Sequence, residues 1–570
     1  MTEPQDPPAT ADFLARHRDA IAAAWPEGIA RETTFPLGRI PLSDHLRHWA
    51  RETPDATSII FYGREISWAE LDALSDRFAG LLAARGIGKG DRVAVFLPNC
   101  PQFHIAFFGI LKLGAVHCPV SPLSTGHELD YMLTDTGARA LVTLDALWPV
   151  VEAAPAARGL TVWTSALSEM APETPTMELP AAVAAPLAPN GGEPLLPAIT
   201  AAAPDYAPGA SWDGLAALNY TGGTTGMPKG CEHTQGDMVF TAAANLSLGG
   251  AADAGVSASF FPEFWIAGQN AALLYPVVAG APLVLMTRWD PLALMQAVER
   301  YRVTAFAMVV DGALEILAHP RFAEFDLSSL QRVRVVSFVK KLDRDIRARW
   351  KAAVGTVLAE AAWGMTETHT SNTFTLGMQD DDFDLKQQPV FVGLPVPGNA
   401  FTIRDFDTFE VLDFGREGEI CTRSPAMLKA YWGKPEATAE AIRDGWLRSG
   451  DIGVIDAGGH LHYLGRRKEM LKVRGMSVFP AELEAELGKH PQIAGSGVIG
   501  RPDPHAGQIP VAFIQPAPGA QVTPEALHEW LAERVAKYKI PEIRLVEALP
   551  MTATGKVKKT GLADLLEPAG

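Results

Sequence analysis

Short apolar runs and helical stripes follow one another through most of the chain. From residue 57, TSIIFYGREIS reads as a strand with a tight Gly-Arg turn, and it leads into a helix over WAELDALSDRFAGLLAARG. Ser67 and Glu70 have the spacing of a capping box, and Trp68, Leu71, Leu74, Phe78, Leu81 and Leu82 make one apolar face. Gly86 supplies a C-terminal stop. The compact run RVAVFLPN, the apolar helical stretch HIAFFGILKLGAV and the run RALVTLD come next. Unbroken apolar strands between helices predict a largely parallel sheet covered on both sides. The rhythm returns at PLVLMT, TAFAMVV and TVLAEAAW, so an α/β body of layered sheets and helices is expected over 45–463, with 1–44 as an N-terminal extension.

Between about 150 and 210 the composition shifts to Ala, Pro and Gly with little periodicity, which predicts a peripheral loop or insertion. Beyond LGRRKEM at 464–470 a smaller α+β pattern begins: KVRGMSV, a helix over PAELEAELGKH opened by Pro480, the runs GSGVIG and VAFIQ, and a helix over TPEALHEWLAERVAKY. Residues 471–570 suffice for a separate C-terminal domain, with 464–470 as the connection. No internal repeat is present.

Composition narrows the function classes. The 570 residues are 47% apolar and 20% charged, with a formal net charge of −17 and no long basic run, which disfavours nucleic-acid binding. Cys100, Cys118, Cys231 and Cys421 lie far apart, without metal-ligand spacing or the density of a disulfide scaffold, and read as buried thiols. No run reaches the ~18 apolar residues of a membrane span, and MTEPQDPPAT lacks the flanks of a secretory signal. A cytoplasmic protein is the expectation; association as a homodimer is left open.

The segment richest in chemistry is YTGGTTGMPKG, Tyr220–Gly230. Gly222, Gly223 and Gly226 let backbone N–H groups approach a ligand, Thr221, Thr224 and Thr225 add hydroxyls, and Lys229 adds a positive charge; such loops wrap polyphosphates. It is not a Walker loop, since Lys229 follows Pro228 and precedes Gly230. A flexible Gly/Thr linker is the plain alternative for this segment by itself.

The segment resembles the phosphate-binding signature of the adenylate-forming superfamily, which includes acyl-CoA synthetases, luciferases and peptide adenylation domains, and further motifs follow in that superfamily's order. WGMTE is similar to the motif whose aromatic ring, here Trp363, packs by adenine, whose Thr366 meets the α-phosphate and whose Glu367 helps hold magnesium. GEICTRSPAMLKAYWGKPEAT follows, and WLRSGDIG places Asp451 where the ribose hydroxyls are bound. GRRKE and RGMSVFPAELE look like the hinge and the start of a mobile domain, with Arg466 on the ribose, Lys468 at the hinge and Gly475 toward coenzyme A. LPMTATGKVKK puts Lys556 at the catalytic lysine. The resemblance spans about 45–560. It implies a large N-terminal body, a small mobile C-terminal domain, and ATP, Mg2+ and coenzyme A as the cofactors of an acid–thiol ligase. It also implies that Lys556 serves adenylation while Lys468 and Gly475 serve thioester formation.

The chemistry accounts for such groups. A carboxylate becomes reactive when it displaces pyrophosphate from ATP, and two anions must then meet where the protein supplies positive charge. Three places depart from the family pattern: the loop has Gly223 where many members carry Ser, and two further segments differ. Phe261–Trp265, FPEFW, ends in Trp265 where a His is common, and SFVKKL from Ser337 replaces a small-residue turn beside adenine and the acyl chain. Trp265, Phe338 and Val339 are therefore expected to shape the acyl pocket, for an aliphatic or aromatic acid. Lys340 and Lys341 read as a solvated pair at a helix start, or as partners for a second anionic group of the acid. A ligase loading a separate carrier protein and a non-catalytic nucleotide-binding relative are the alternatives; a luciferase-like oxygenase rests on fold alone.

Overall fold

The computed structural model describes residues 6–566 apart from 189, 222–226, 250–254, 389 and 553–554. Among these residues the N-terminal body holds three seven-stranded sheets. In the first, the strands run in the order 358–360, 332–336, 305–309, 257–259, 283–285, 57–61, 64–67, parallel except for the last hairpin. The second runs 193–194, 161–165, 140–144, 92–96, 116–119, 215–220, 230–234, and its final pair is antiparallel. The helices Trp68–Ala84 and Pro101–Leu113 join strands of both sheets in one core, and the second of them is buried along its whole length. Ser67 caps the first, accepting from Glu70 N at 3.1 Å, but the Glu70 carboxylate pairs with Arg64, so only half of the capping box forms. All four cysteines are free and buried.

Three features differ from the expectation. The third sheet, 373–374, 390–395, 461–466, 446–455, 418–423, 400–404, with 442–443 paired to 446–455, is wholly antiparallel, where the strand pattern suggested largely parallel pairing. Its strands are covered on both faces, so Gly418–Arg423 lacks the alternation that marks an antiparallel strand. One cover is the helix Pro8–Ala24, whose Phe13 packs with Phe401, Ile420 and Leu461. His17 donates to Gly459 O at 3.0 Å and Asp6 takes both arms of Arg423 at 3.0 Å, so the extension is a strap on this sheet. The Ala/Pro stretch after 150 also carries structure: the strand Glu193–Pro194 extends the second sheet, and Leu195 and Ile199, four apart on the helix Leu195–Ala201, are fully buried.

The smaller C-terminal domain has a five-stranded sheet ordered 476–478, 471–473, 507–516, 493–503, with 542–545 parallel to 507–516. The helices Pro480–Gly488 and Pro524–Ala532 lie on it, and Leu483, Leu487, Leu527 and Leu531 give it a core of its own. Among the described residues no helix is long and apolar enough to cross a membrane.

One buried ion pair fixes the approach to the site. Arg347 donates to both Asp384 oxygens at 2.8 and 2.7 Å and to Leu358 O at 3.1 Å, tying the helix Arg344–Val354 to the strand that leads to Trp363. Arg347→Met strands a carboxylate in the interior, a loss of about 3–5 kcal/mol that lowers the denaturant midpoint. Adding Asp384→Asn is expected to restore most of that loss in the same measurement.

Candidate active site

The strands Leu215–Tyr220 and Gly230–Thr234 are antiparallel with Tyr220 opposite Gly230, so the segment between them leaves and returns at one sheet end. Thr221 N donates to Lys229 O at 3.0 Å and Lys229 N to Thr221 Oγ1 at 3.2 Å, closing its neck. Gly222, Gly223, Thr224, Thr225 and Gly226 lie outside the described residues. Lys229 Nζ stands 4.3 Å from the centroid of the Tyr431 ring, and Tyr431 donates from its hydroxyl to Glu367 Oε1 at 2.8 Å. One aromatic side chain thus links the loop lysine to the acid of WGMTE. Tyr431 is placed by backbone pairing of its segment onto the loop's return strand, through Glu232 N to Ala430 O at 3.0 Å and Trp432 N to Gly230 O at 2.8 Å. Sequence reasoning passed over Tyr431, although it lies in the motif GEICTRSPAMLKAYWGKPEAT; its signal was an aromatic pair in an otherwise polar stretch.

The 363–367 loop is held from several sides. Trp363 N donates to Thr373 Oγ1 at 2.9 Å, Leu428 N donates to Glu367 O at 2.7 Å, and His233 Nε2 donates to Thr366 O at 2.9 Å. His369, Thr370 and Ser371 have φ near +55°, an uncommon run for residues with side chains. Asn270 stabilises it, accepting from His369 Nδ1 at 2.9 Å and donating to His369 O at 2.8 Å. Burial pushes the His369 imidazole down to about 3, so it is neutral there. A Cβ at Gly364 would overlap Ser371 N, which accounts for the glycine after Trp363.

Asp451 and Arg466 face each other across the antiparallel strands 446–455 and 461–466. Asp451 is 3% exposed and accepts the Trp363 indole N–H at 2.9 Å. Arg466 Nε lies 2.7 Å from Asp451 Oδ1, but off the line a hydrogen bond requires, so among the described residues this buried oxygen has no aligned donor. Burial raises the Asp451 carboxyl above its ordinary range although Arg466 acts against it.

Lys556 reaches this group from the C-terminal domain. Its turn is closed by Thr552 N on Lys556 O at 2.7 Å and Lys556 N on Thr552 Oγ1 at 3.1 Å, with Gly555 at φ +77°. The ammonium stands 5.2 Å from the centroid of Phe338. Its side chain is crowded by protein atoms although the residue remains exposed. That crowding and the Arg466 guanidinium lower its pKa below the ordinary lysine value, outweighing Asp451 and Glu469.

The departing segments take distinct positions. The Trp265 and Phe338 rings lie 5.8 Å apart, with Phe261 6.1 Å from Trp265. Just before them Glu263, fully buried, pairs with His104 at 2.6 Å. Val339 turns away from these rings and packs with Val511, Phe513 and Leu549 of the C-terminal domain. The lysines are not a solvated pair. Lys340 is 7% exposed and donates to Gly488 O, and Lys341 donates to Ser337 O at 2.7 Å. Lys468 lies exposed in the 3-10 turn Arg467–Glu469. Gly475, at φ +82°, and Arg474, at φ +51°, form the tip of the 471–473/476–478 hairpin; a side chain at Gly475 would meet open space. The structure thus brings together Lys229, Glu367, Trp363, Asp451, Arg466, Lys556, Phe338 and Trp265, with Lys468 and Gly475 on the connection and the hairpin beyond it.

Comparison with known proteins matches two family models in order along the chain. The AMP-binding enzyme family model matches residues 46–432, and the AMP-binding enzyme C-terminal domain model matches 482–556. A long-chain-fatty-acid–CoA ligase of Bacillus subtilis is 30% identical, the match covering 95% of this chain and 97% of that one. A 4-coumarate–CoA ligase 2 of Oryza sativa subsp. japonica is 32% identical over 92% of each. The crystal structure of the anthranilate CoA ligase AuaEII with anthranoyl-AMP superposes with a TM-score of 0.78 at 26% identity, covering 92% of this chain and 98% of that one. With both family models matched in order and CoA ligases similar along nearly its whole length, this chain belongs to the AMP-binding enzyme family and is an ATP-dependent acid–CoA ligase.

Proposed function

We propose that this ligase forms an acyl-adenylate at the Lys229–Glu367–Asp451–Lys556 cleft from an aliphatic or aromatic acid, then transfers the acyl group to coenzyme A after Lys556 withdraws. The observation that supports it best is the arrival of Lys556, from near the chain's end, beside Asp451, Arg466 and Phe338. In the first half-reaction the acid's oxygen attacks the α-phosphorus and pyrophosphate leaves. Lys556 neutralises the approaching carboxylate and α-phosphate, and Lys229 with the loop holds the outer phosphates. The unaligned Asp451 Oδ1 accepts a ribose hydroxyl, and Arg466 steadies the same sugar. Magnesium fits Glu367, since this ion takes one or two protein carboxylates plus substrate phosphates, and Tyr431 holds that carboxylate by one oxygen. Its charge would lower the repulsion between the two anions.

Phe338 and Trp265 make the acid's end of the cleft aromatic, and both lysines after Phe338 point elsewhere, which favours a monocarboxylic apolar acid. The names of the fatty-acid and 4-coumarate ligases fit that class. Lys468 serves as the pivot, and rotation about it brings the Gly475 hairpin toward the thiol.

Lys556→Ala is expected to lower acid-dependent ATP–pyrophosphate exchange by about 10²–10³ while leaving thioester formation from supplied acyl-adenylate nearly intact; equal losses in both assays would contradict the assignment. The charged amine is the active form and its pKa is lowered, so kcat/KM for adenylation falls as pH rises through a value below the ordinary 10.5, the plateau lying on the acid side. A pH profile without that alkaline limb would remove Lys556 as the charge involved. Across a panel of aliphatic, aromatic and dicarboxylic acids, pyrophosphate release with coenzyme A is expected for apolar monocarboxylic members and to be weakest for dicarboxylic ones. Adenylate without CoA thioester would favour a carrier-protein acceptor.

A further inference from the structure

The turn between the strand Arg332–Val336 and the helix Arg344–Val354 belongs to the N-terminal body, yet its side chains are divided between two partners. Phe338 faces Trp265 and Lys556. Val339 enters the C-terminal cluster of Val511, Phe513, Leu549 and Leu562. Lys340, buried, points its ammonium at three C-terminal carbonyls, Gly488 O at 3.1 Å, His490 O at 3.4 Å and Ile493 O at 3.4 Å. Those carbonyls end the helix Pro480–Gly488 and the turn that follows it. The last carbonyls of a helix have no partners within it and carry the negative end of its dipole, so a cation there satisfies and neutralises them together. Here the cap comes from the other domain. The Lys341 stem lies against the same glycine, where a Cβ on Gly488 would overlap its Cγ, and Glu484 on that helix and Glu360 in the body attract its charge.

From this juxtaposition we infer that Val339 and Lys340 latch the C-terminal domain in the orientation that places Lys556 in the cleft, Lys340 being a positioning residue for adenylation. The inference rests on the assignment of Lys556 above. The latch is selective because the three carbonyls that accept from Lys340 are on the body that turns, while Asp311 and Asp343, which attract its charge, stay with the N-terminal body. Rotation carries the three carbonyls away and returns a buried ammonium to water, so the contact stabilises only one orientation. Exchange activity scales with the population of that orientation, and the thioester step with the population of the other.

Lys340→Met keeps the aliphatic stem and removes the charge. The expected result is a loss of roughly tenfold or more in acid-dependent ATP–pyrophosphate exchange, with thioester formation from supplied acyl-adenylate and coenzyme A unchanged or faster. Lys340→Arg should recover part of the exchange. In a Lys556→Ala background Lys340→Met should add almost nothing, because there is then no lysine to position. Equal loss in both half-reactions, or the same loss with Lys556 already absent, overturns the latch and leaves the Lys556 assignment standing; unchanged exchange in Lys556→Ala alone overturns that assignment instead. A second test does not use Lys340. A Cβ on Gly495 would lie 4.0 Å from Val339 Cβ, within the range of a disulfide. The pair Val339→Cys with Gly495→Cys, oxidised, should retain adenylate formation and lose at least tenfold in thioester formation, recovered on reduction. A cross-link that forms and leaves thioester formation untouched, or one that does not form in the folded enzyme, overturns the latch.

Discussion

Asp451 is the residue on which the cleft is organised. A buried carboxylate costs several kcal/mol unless partners compensate it, and here the partners are the parts that the chemistry has to bring together. The Trp363 indole is turned by its bond to Asp451, so the plane of the ring is set before any ligand arrives. Arg466 stands opposite Asp451 at the end of its strand, immediately before the 467–469 turn that leads to the C-terminal domain. The floor of the site and the start of the interdomain connection are thereby tied to one carboxylate. Lys556 enters the same field from the far side, attracted by Asp451 and repelled by Arg466. Among the described residues neither influence involves direct pairing of the amine.

The phosphate side solves a related problem. Had Lys229 paired directly with Glu367, an incoming polyphosphate would have to break that ion pair before gaining anything from the lysine. Tyr431 stands between them, offering its ring face to the ammonium and its hydroxyl to the carboxylate. A cation over a ring keeps its outward charge, and the attraction, about 0.5–2 kcal/mol, is readily exchanged for phosphate. Glu367 likewise spends one oxygen on a neutral donor. Both charges are positioned without being cancelled, which is what preorganisation requires.

Legibility in the sequence followed physical range. Ser67, Trp68, Leu71 and Phe78 announce a helix because caps and apolar stripes are local, and the parallel strands announce themselves by unbroken apolar runs. The antiparallel sheet stayed hidden because its strands do not alternate apolar and polar residues: Gly418–Arg423 has only the adjacent Ile420 and Cys421 as apolar side chains, yet Glu419 and Thr422 are buried as well. The cleft was legible as a set of motifs, since Trp363, Asp451 and Arg466 each sit in a recognisable local context. What local context cannot supply is the partner of a charge. Lys340 and Lys341 have the sequence appearance of solvated side chains, yet one caps a helix about 150 positions away and the other braces its own turn.

That turn also joins the two domains mechanically. A turn of small residues needs little support, whereas one carrying Phe338, Val339, Lys340 and Lys341 must be braced to hold four side chains in four directions. Glu360 provides the brace, accepting from Ser337 N at 2.9 Å and from Ser337 Oγ at 2.5 Å, while Lys341 closes onto Ser337 O. Burial pushes the Glu360 carboxyl up to about 7, the cost of placing it beneath the turn, and the Ser337 donors and Lys341 partly offset that cost. Glu360 also ends the strand that runs directly into Trp363. One carboxylate therefore supports the turn that carries Phe338 to Trp265 and Lys340 to the C-terminal domain, together with the strand that leads to Trp363. The Trp265 contact and the interdomain contact are tied together because a single cross-braced turn carries both.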